Sequence, residues 1–248
     1  MLHLAQSAFP CNVTTRTQET DDAMSVSHPD DRIKHLISES LDHAIQHFGD
    51  EDALAKIRSI NTIGCLLLNH LTDKDYSPVA GSIEVRAGGE PFGIQAREAE
   101  ASHPHYQWIV GTGPDDAAEF VDFGARYWKE WAQMEGSAWN AGPPPTVVWG
   151  PAEQVPEELA VYTAAPELSA NVCKAIDEFI ETPANRDTLV QWEDAVNDAV
   201  DYLMETSEGI DYLVEAGIAS WEDEEGFEDL DFEDEDEEFE DENNGARF

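Results

Sequence analysis

Residues 222–248 hold sixteen acids against a single base, Arg247. Like charges at that density repel one another, and no apolar face recurs there at helical or strand spacing. Such a stretch cannot bury a core, so it is expected to stay extended and solvated. Whatever folds must therefore lie upstream, and the expectation is a disordered acidic–aromatic tail over 221–248. Phe227, Phe232 and Phe239 interrupt the acids at short intervals. They are candidate partner-binding anchors, because rings spaced among carboxylates can enter pockets of a basic groove, or stand in for stacked bases while the carboxylates stand in for phosphates; a plain solubilising, autoinhibitory or spacer tail is the other reading.

The acidity is not confined to the tail. The whole chain of 248 residues carries 54 acids and 13 bases, a net charge of −41. Without the tail the balance is still −26. A field of that sign repels nucleic acid and anionic membranes and attracts basic protein surfaces. Direct nucleic-acid binding is excluded on that ground, whereas mimicry of nucleic acid or life at high salt is compatible with it. Cys11, Cys65 and Cys173 are few and far apart, with no Cys-x-x-Cys. That argues against a disulfide framework and structural zinc. No apolar run approaches the roughly 20 residues of a membrane-spanning helix. The first residues also lack the basic and apolar regions of a secretion signal, so a cytoplasmic location is expected.

Hydrophobic spacing orders the rest. Residues 1–27 are polar and expected to be disordered. From 28 to 220 one α+β domain is expected, with helices before and after a small antiparallel sheet. Ile33, Leu36, Ile37, Leu41, Ala44, Ile45 and Phe48 share one helical face, with Ser27 as a candidate cap and Gly49 as a candidate end. A helical stretch over 51–71 follows. It contains Asn61-Thr62-Ile63-Gly64, weak helix formers that could instead start a second helix capped by Thr62. Strands are expected near 77–86, 105–110, 119–123 and 146–150, and a short helix over 125–134. Further helices are expected at about 167–182, 188–207 and 209–218.

One arrangement in this order suggests chemistry. A thiol nucleophile needs a base within hydrogen-bond reach and a third group to orient that base. A helix N-terminus lowers a thiol pKa. If Thr62 caps a helix, Cys65 sits in its first turn. His105 opens one strand and Asp122 closes the next, so the two could meet across a sheet. Gly64-Cys65-Leu66, then Val79 to Val85, then His105-Tyr106-Gln107-Trp108-Ile109, then Phe120-Val121-Asp122-Phe123, together resemble part of a known family. The order is similar to that of papain-like cysteine enzymes of the transglutaminase-like and arylamine N-acetyltransferase-like type, over about residues 60–125. The resemblance implies a papain/transglutaminase-like core. It implies Cys65 as nucleophile, His105 as proton shuttle and Asp122 as the group orienting the histidine, in a hydrolase or acyl-transferase that could be degenerate. The residues before Cys65 are Thr-Ile-Gly, no aromatic follows it, and no glutamine precedes it to form an oxyanion hole. An unbroken helix over 51–71 would make Cys65 a buried core thiol instead.

Other features carry less. His43 and His47 are four apart, as a metal pair would be, but no third ligand is near in sequence. Neither "GGEPFG" nor "GTGP" continues as a phosphate-binding loop, and no cofactor is expected. Trp128 and Trp131 share a helical face, which reads as a core contact. Two functions therefore stand against each other. One is the cysteine enzyme. The other is a non-enzymatic acidic interaction protein, a nucleic-acid mimic or inhibitor, that occupies a basic surface of a partner.

Overall fold

The computed structural model describes residues 29–46, 48, 52–97, 99–113, 118–151 and 155–220. Cys11, His47, the segment expected to be disordered at the N-terminus, and the tail with Phe227, Phe232 and Phe239 lie outside them. The described residues form an α+β fold of six α-helices and a small antiparallel sheet.

Two helices come first. Helix α1 spans Asp31–Ile45, and its cap is Asp30 rather than Ser27: the Asp30 Oδ1 accepts from the backbone N–H of Arg32 at 2.9 Å and Ile33 at 3.0 Å. A side-chain oxygen there satisfies two of the free N–H groups that start any helix. Ile37, Leu41, Ala44 and Ile45 form its buried face. Helix α2 spans Ala53–Leu71 without interruption and is capped by Asp52.

The weak helix formers inside α2 answer to tertiary packing. Asn61 is fully buried and uses its amide to bridge to the sheet. At Gly64 a Cβ would stand 2.5 Å from the Phe123 ring, so only glycine lets the helix approach this closely. Of the two readings open in the sequence, a single helix or a second one starting at Thr62, the structure has the single helix. Its residues were chosen for what they touch, at a propensity cost that the burial of Ile57, Ile60, Ile63, Leu67 and Leu68 outweighs.

The sheet is built on one long strand. Strand β1 (Asp75–Val85) pairs over its first seven residues with β3 (Tyr106–Thr112). Its last three pair with β2 (Phe92–Ile94), and Gly81–Val85 also pair with β6 (Ala160–Ala164). Gly81 sits where β3 and β6 both meet β1, and a Cβ there would fall 2.1 Å from the Thr163 carbonyl oxygen. Strand β4 (Glu119–Asp122) joins β3 with Ile109 opposite Val121, and β5 (Val148–Pro151) joins β4. All these pairings are antiparallel.

A 3-10 turn (Phe123–Tyr127) leads from β4 into the short helix α3 (Trp128–Met134). After β6 come α4 (Pro166–Glu181), α5 (Arg186–Met204) and α6 (Ser207–Glu215). The main core lies between one face of the sheet and helices α1, α2, α5 and α6, and includes Leu41, Leu67, Tyr76, Ile109, Val121, Phe123 and Leu203. A second core gathers Trp108, Phe120, Tyr106, Trp128 and Trp131 with Ala53 and Ile57 of α2. Trp128 and Trp131 are core residues, and Trp131 stacks on Tyr106 at 5.7 Å between ring centroids.

Candidate functional site

Cys65 lies in the fourth turn of α2, not the first, and is fully buried. Its Sγ donates to the Tyr76 carbonyl at 3.4 Å, and the Asn69 amide reaches the sulfur at 3.8 Å. The free N–H groups that would lower its pKa belong to a helix start twelve residues away, at Ala53.

His105 immediately precedes β3 and is 5% exposed. Its Nδ1 lies 2.8 Å from the His103 carbonyl oxygen, which fixes that nitrogen as the donor. Burial pushes its pKa down, the bond to His103 pushes it up, and the Arg58 charge pushes it down again, with a net lowering. A neutral imidazole already committed to a backbone carbonyl has no Nδ1–H left for Asp122.

Asp122 is fully buried at the end of β4, and four donors fill it. The Asn61 amide at 3.0 Å and the Gly124 N–H at 2.8 Å reach Oδ1. The Tyr106 hydroxyl at 2.8 Å and the Tyr162 hydroxyl at 2.7 Å reach Oδ2. Tyr106 in turn accepts from the Trp128 indole at 2.9 Å, and the Asn61 carbonyl oxygen accepts from the Phe123 N–H at 2.9 Å. Burial raises the Asp122 pKa above the ordinary carboxylate value even against these donors. One carboxylate thus ties α2, β3, β6 and the turn into α3.

The strand register separates the expected triad. Cys65 bonds to Tyr76, which pairs with Gly111, whereas Tyr106, next to His105, pairs with Gly81. Five residues of extended strand are about 16 Å. Cys65 and His105 therefore stand toward opposite ends of the β1–β3 ladder. The three residues keep the expected chain order and do not converge. The reason is the unbroken α2, which carries Cys65 past the end of β3 that bears His105.

A second buried carboxylate escaped the sequence reading. Glu119 opens β4 and is 5% exposed. It accepts from the Tyr76 hydroxyl at 2.5 Å, Lys74 Nζ at 2.9 Å and the Trp149 indole at 2.8 Å. Burial opposes its ionisation, but these three bonds outweigh that and hold its pKa below the ordinary value. The signal was an acid at the head of the short apolar run Glu119-Phe120-Val121.

His43 rests its ring against Tyr202 at 5.2 Å, and among the described residues no group of three side chains is placed to hold a metal ion. No described helix is long and apolar enough to cross a membrane.

What the fold presents to solvent is charge. Residues 166–220 carry thirteen acids and two bases. On α5, Asp187, Asp194, Asp198 and Asp201 are exposed and lie along one face, which Glu205 extends past the helix end. The opposite face, with Ala195, Val196, Ala199 and Leu203, is buried. On α6, Glu208, Asp211 and Glu215 together with Asp30 rim an open hollow of about 230 Å³ over Ile33 and Tyr212. Bases elsewhere are largely engaged: Lys56 holds Glu130 at 2.8 Å, Arg86 holds Glu84 at 2.7 Å and Arg126 holds Asp42 at 2.7 Å.

Comparison with known proteins adds little. No family model matches the chain, and no curated protein matches it. Among solved structures it is similar to a protein known as genomics APC5867. The two are 14% identical, with 65% of this chain and 76% of that one covered at a TM-score of 0.42.

Proposed function

We propose that this chain is a non-enzymatic acidic interaction protein that occupies a basic, nucleic-acid-binding surface of a partner protein. The observation that carries the reading is the solvent face of α5. Asp194, Asp198, Asp201 and Glu205 follow one another at steps of four, three and four residues, with no ion pair to any α5 acid among the described residues. At 1.5 Å of rise per residue those four charges span about 16 Å, with steps of about 4.5–6 Å between neighbours. A single strand of duplex DNA carries one per about 3.4 Å of axis. A groove lined with lysine and arginine to hold phosphates meets a comparable line of negative charge. The hollow on α6 offers an apolar floor and a carboxylate rim, which suits the stem and head of one long basic side chain.

The test uses a DNA-binding domain with a basic groove and a fluorescent duplex already bound to it. Added protein is expected to displace the duplex, and a variant with Asp194→Asn, Asp198→Asn, Asp201→Asn and Glu205→Gln is expected to displace it at least tenfold less well. No displacement, or equal displacement by the variant, would contradict the proposal.

A second reading is kept for one reason. The order of Cys-bearing helix, strand, His-bearing strand and Asp-bearing strand is that of the papain/transglutaminase-like enzymes. A degenerate relative of that family, with its scaffold retained and its site dispersed, is consistent with that order. It predicts no acyl transfer to or from Cys65 with thioester or amide substrates, and measurable turnover that is lost in Cys65→Ser would instead establish an active enzyme.

A further inference from the structure

On a helix, residues three and four apart are neighbours, and like charges in those positions destabilise it. The C-terminal helices repeat that unfavourable spacing. Asp194, Asp198, Asp201 and Glu205 make three successive like-charge steps on α5. Glu208, Asp211 and Glu215 make two on α6, and Asp177 and Glu178 both face Glu181 on α4. The Asp177 carboxyl is raised above its usual value by burial and by the Glu181 charge.

The helix dipoles add to the repulsion. A helix C-terminus is a site of partial negative charge that favours bases. None of α4, α5 and α6 has a base in its last turn. Acids stand there instead: Glu178 and Glu181, Asp201, and Glu215. Lys174 reaches Glu178 at 3.5 Å and Arg32 reaches Glu208, but no basic side chain among the described residues pairs with an acid of α5. The layer is held by its apolar face, where Val196, Ala199, Leu203 and Leu213 join Leu41 and Leu67 in the core.

We infer that the folded state is salt-dependent: dissolved cations screen the carboxylate ladders of α4, α5 and α6, and the free chain is built to be stable at molar rather than millimolar salt. The relevant lengths decide it. Neighbouring acids along α5 are about 4.5–6 Å apart in axial rise. The screening length is about 10 Å at 0.1 M and about 3 Å at 1 M. Each carboxylate therefore feels the next at low salt and is shielded from it at high salt. A fold that leans on surface ion pairs responds the other way, because salt weakens them. The inference concerns the chain without a partner and stands whether or not the proposed partner exists. A basic partner surface would relieve the same repulsion that salt relieves.

The experiment is thermal unfolding of the full chain, followed by circular dichroism, in NaCl and separately in KCl from 0.05 to 1 M. The expected result is a rise in Tm of roughly 5–10 °C, the same for both salts, from about seven like-charge steps relieved. The variant with Asp194→Asn, Asp198→Asn, Asp201→Asn and Glu205→Gln changes only exposed side chains. It is expected to melt higher than the parent at 0.05 M and to lose about a third or more of the salt-induced rise. A parent Tm that is flat or falls with salt would overturn the inference. So would a variant that keeps the full rise, or a response to one of the two salts only, which would mean a specific ion site and not screening.

Discussion

Replacing Asp122 with alanine separates a structural carboxylate from a catalytic one. The side chain accepts from Asn61, Gly124, Tyr106 and Tyr162 at 2.7–3.0 Å and is fully buried. In Asp122→Ala, Asn61 keeps its bond to the Gln107 carbonyl at 2.9 Å. The Gly124 N–H and the Tyr106 and Tyr162 hydroxyls lose their acceptor in a site closed to water. An unsatisfied buried donor costs about 1–3 kcal/mol. Three would cost about 3–9 kcal/mol, but the substitution also removes a carboxylate whose burial is itself unfavourable, as its raised pKa records. The expected net loss is therefore in the lower half of that range, about 3–5 kcal/mol. Urea unfolding at fixed pH and 1 M NaCl would read it. Asp122→Asn, which keeps one acceptor, should cost roughly half as much. A loss below about 1 kcal/mol in Asp122→Ala would mean that the four bonds do not hold β4, β6 and α2 together, and the reasoning would fail.

Glu119 is expected to give a pH signature. Its folded pKa is depressed, so the stability it contributes is present above the unfolded value of about 4.5 and is lost as pH falls through the folded value. Glu119→Gln should therefore flatten the pH dependence of urea unfolding below about pH 4.5, and an unchanged acid limb would show that the Lys74, Tyr76 and Trp149 bonds do not bias its ionisation. Deleting 222–248 is expected to leave the Tm at 1 M NaCl within about 2 °C of the parent, since no apolar face is lost; unfolding would mean the tail is structural. Replacing Phe227, Phe232 and Phe239 with alanine should weaken binding to a basic partner by about 1–3 kcal/mol per engaged ring if the rings anchor it. Charge alone predicts no loss in that titration.

The helices were legible in the sequence because their faces repeat. Ile37, Leu41, Ala44 and Ile45 on α1 are buried as their spacing requires, and the last three helices fall within a few residues of where periodicity puts them. The strands β3, β4 and β5 were legible from short apolar runs between turns. Strand β2 was not, since its three residues carry a central glycine, and β6 was hidden between prolines, although Val161, Tyr162 and Thr163 are strand formers. Asn61, Thr62 and Gly64 suggested a helix boundary by propensity. The actual reasons for Asn61 and Gly64, a hydrogen bond to Asp122 and a close approach to Phe123, depend on residues some sixty positions away. Asp122 was singled out as the group orienting His105, and the structure places it as a buried acceptor of four donors. Its partners could not be read, because Tyr162 reaches it only through the pairing of β6 with β1.

If the chain acts through its acidic surface, as proposed, Cys65 is a buried core thiol and not an activated one, and its reactivity tests that most directly. The native full-length chain would be treated with iodoacetamide between pH 6 and 9 in 1 M NaCl, and the Cys65 peptide followed by mass spectrometry, so that Cys11 and Cys173 do not interfere. A fully buried thiol bonded to the Tyr76 carbonyl should label only as fast as the protein opens, at least a hundredfold slower than in urea, and without a titration near neutral pH. Labelling that is rapid in the folded chain and rises with an apparent pKa well below the ordinary 8.5 of a thiol would contradict the account and return Cys65 to the role of a nucleophile.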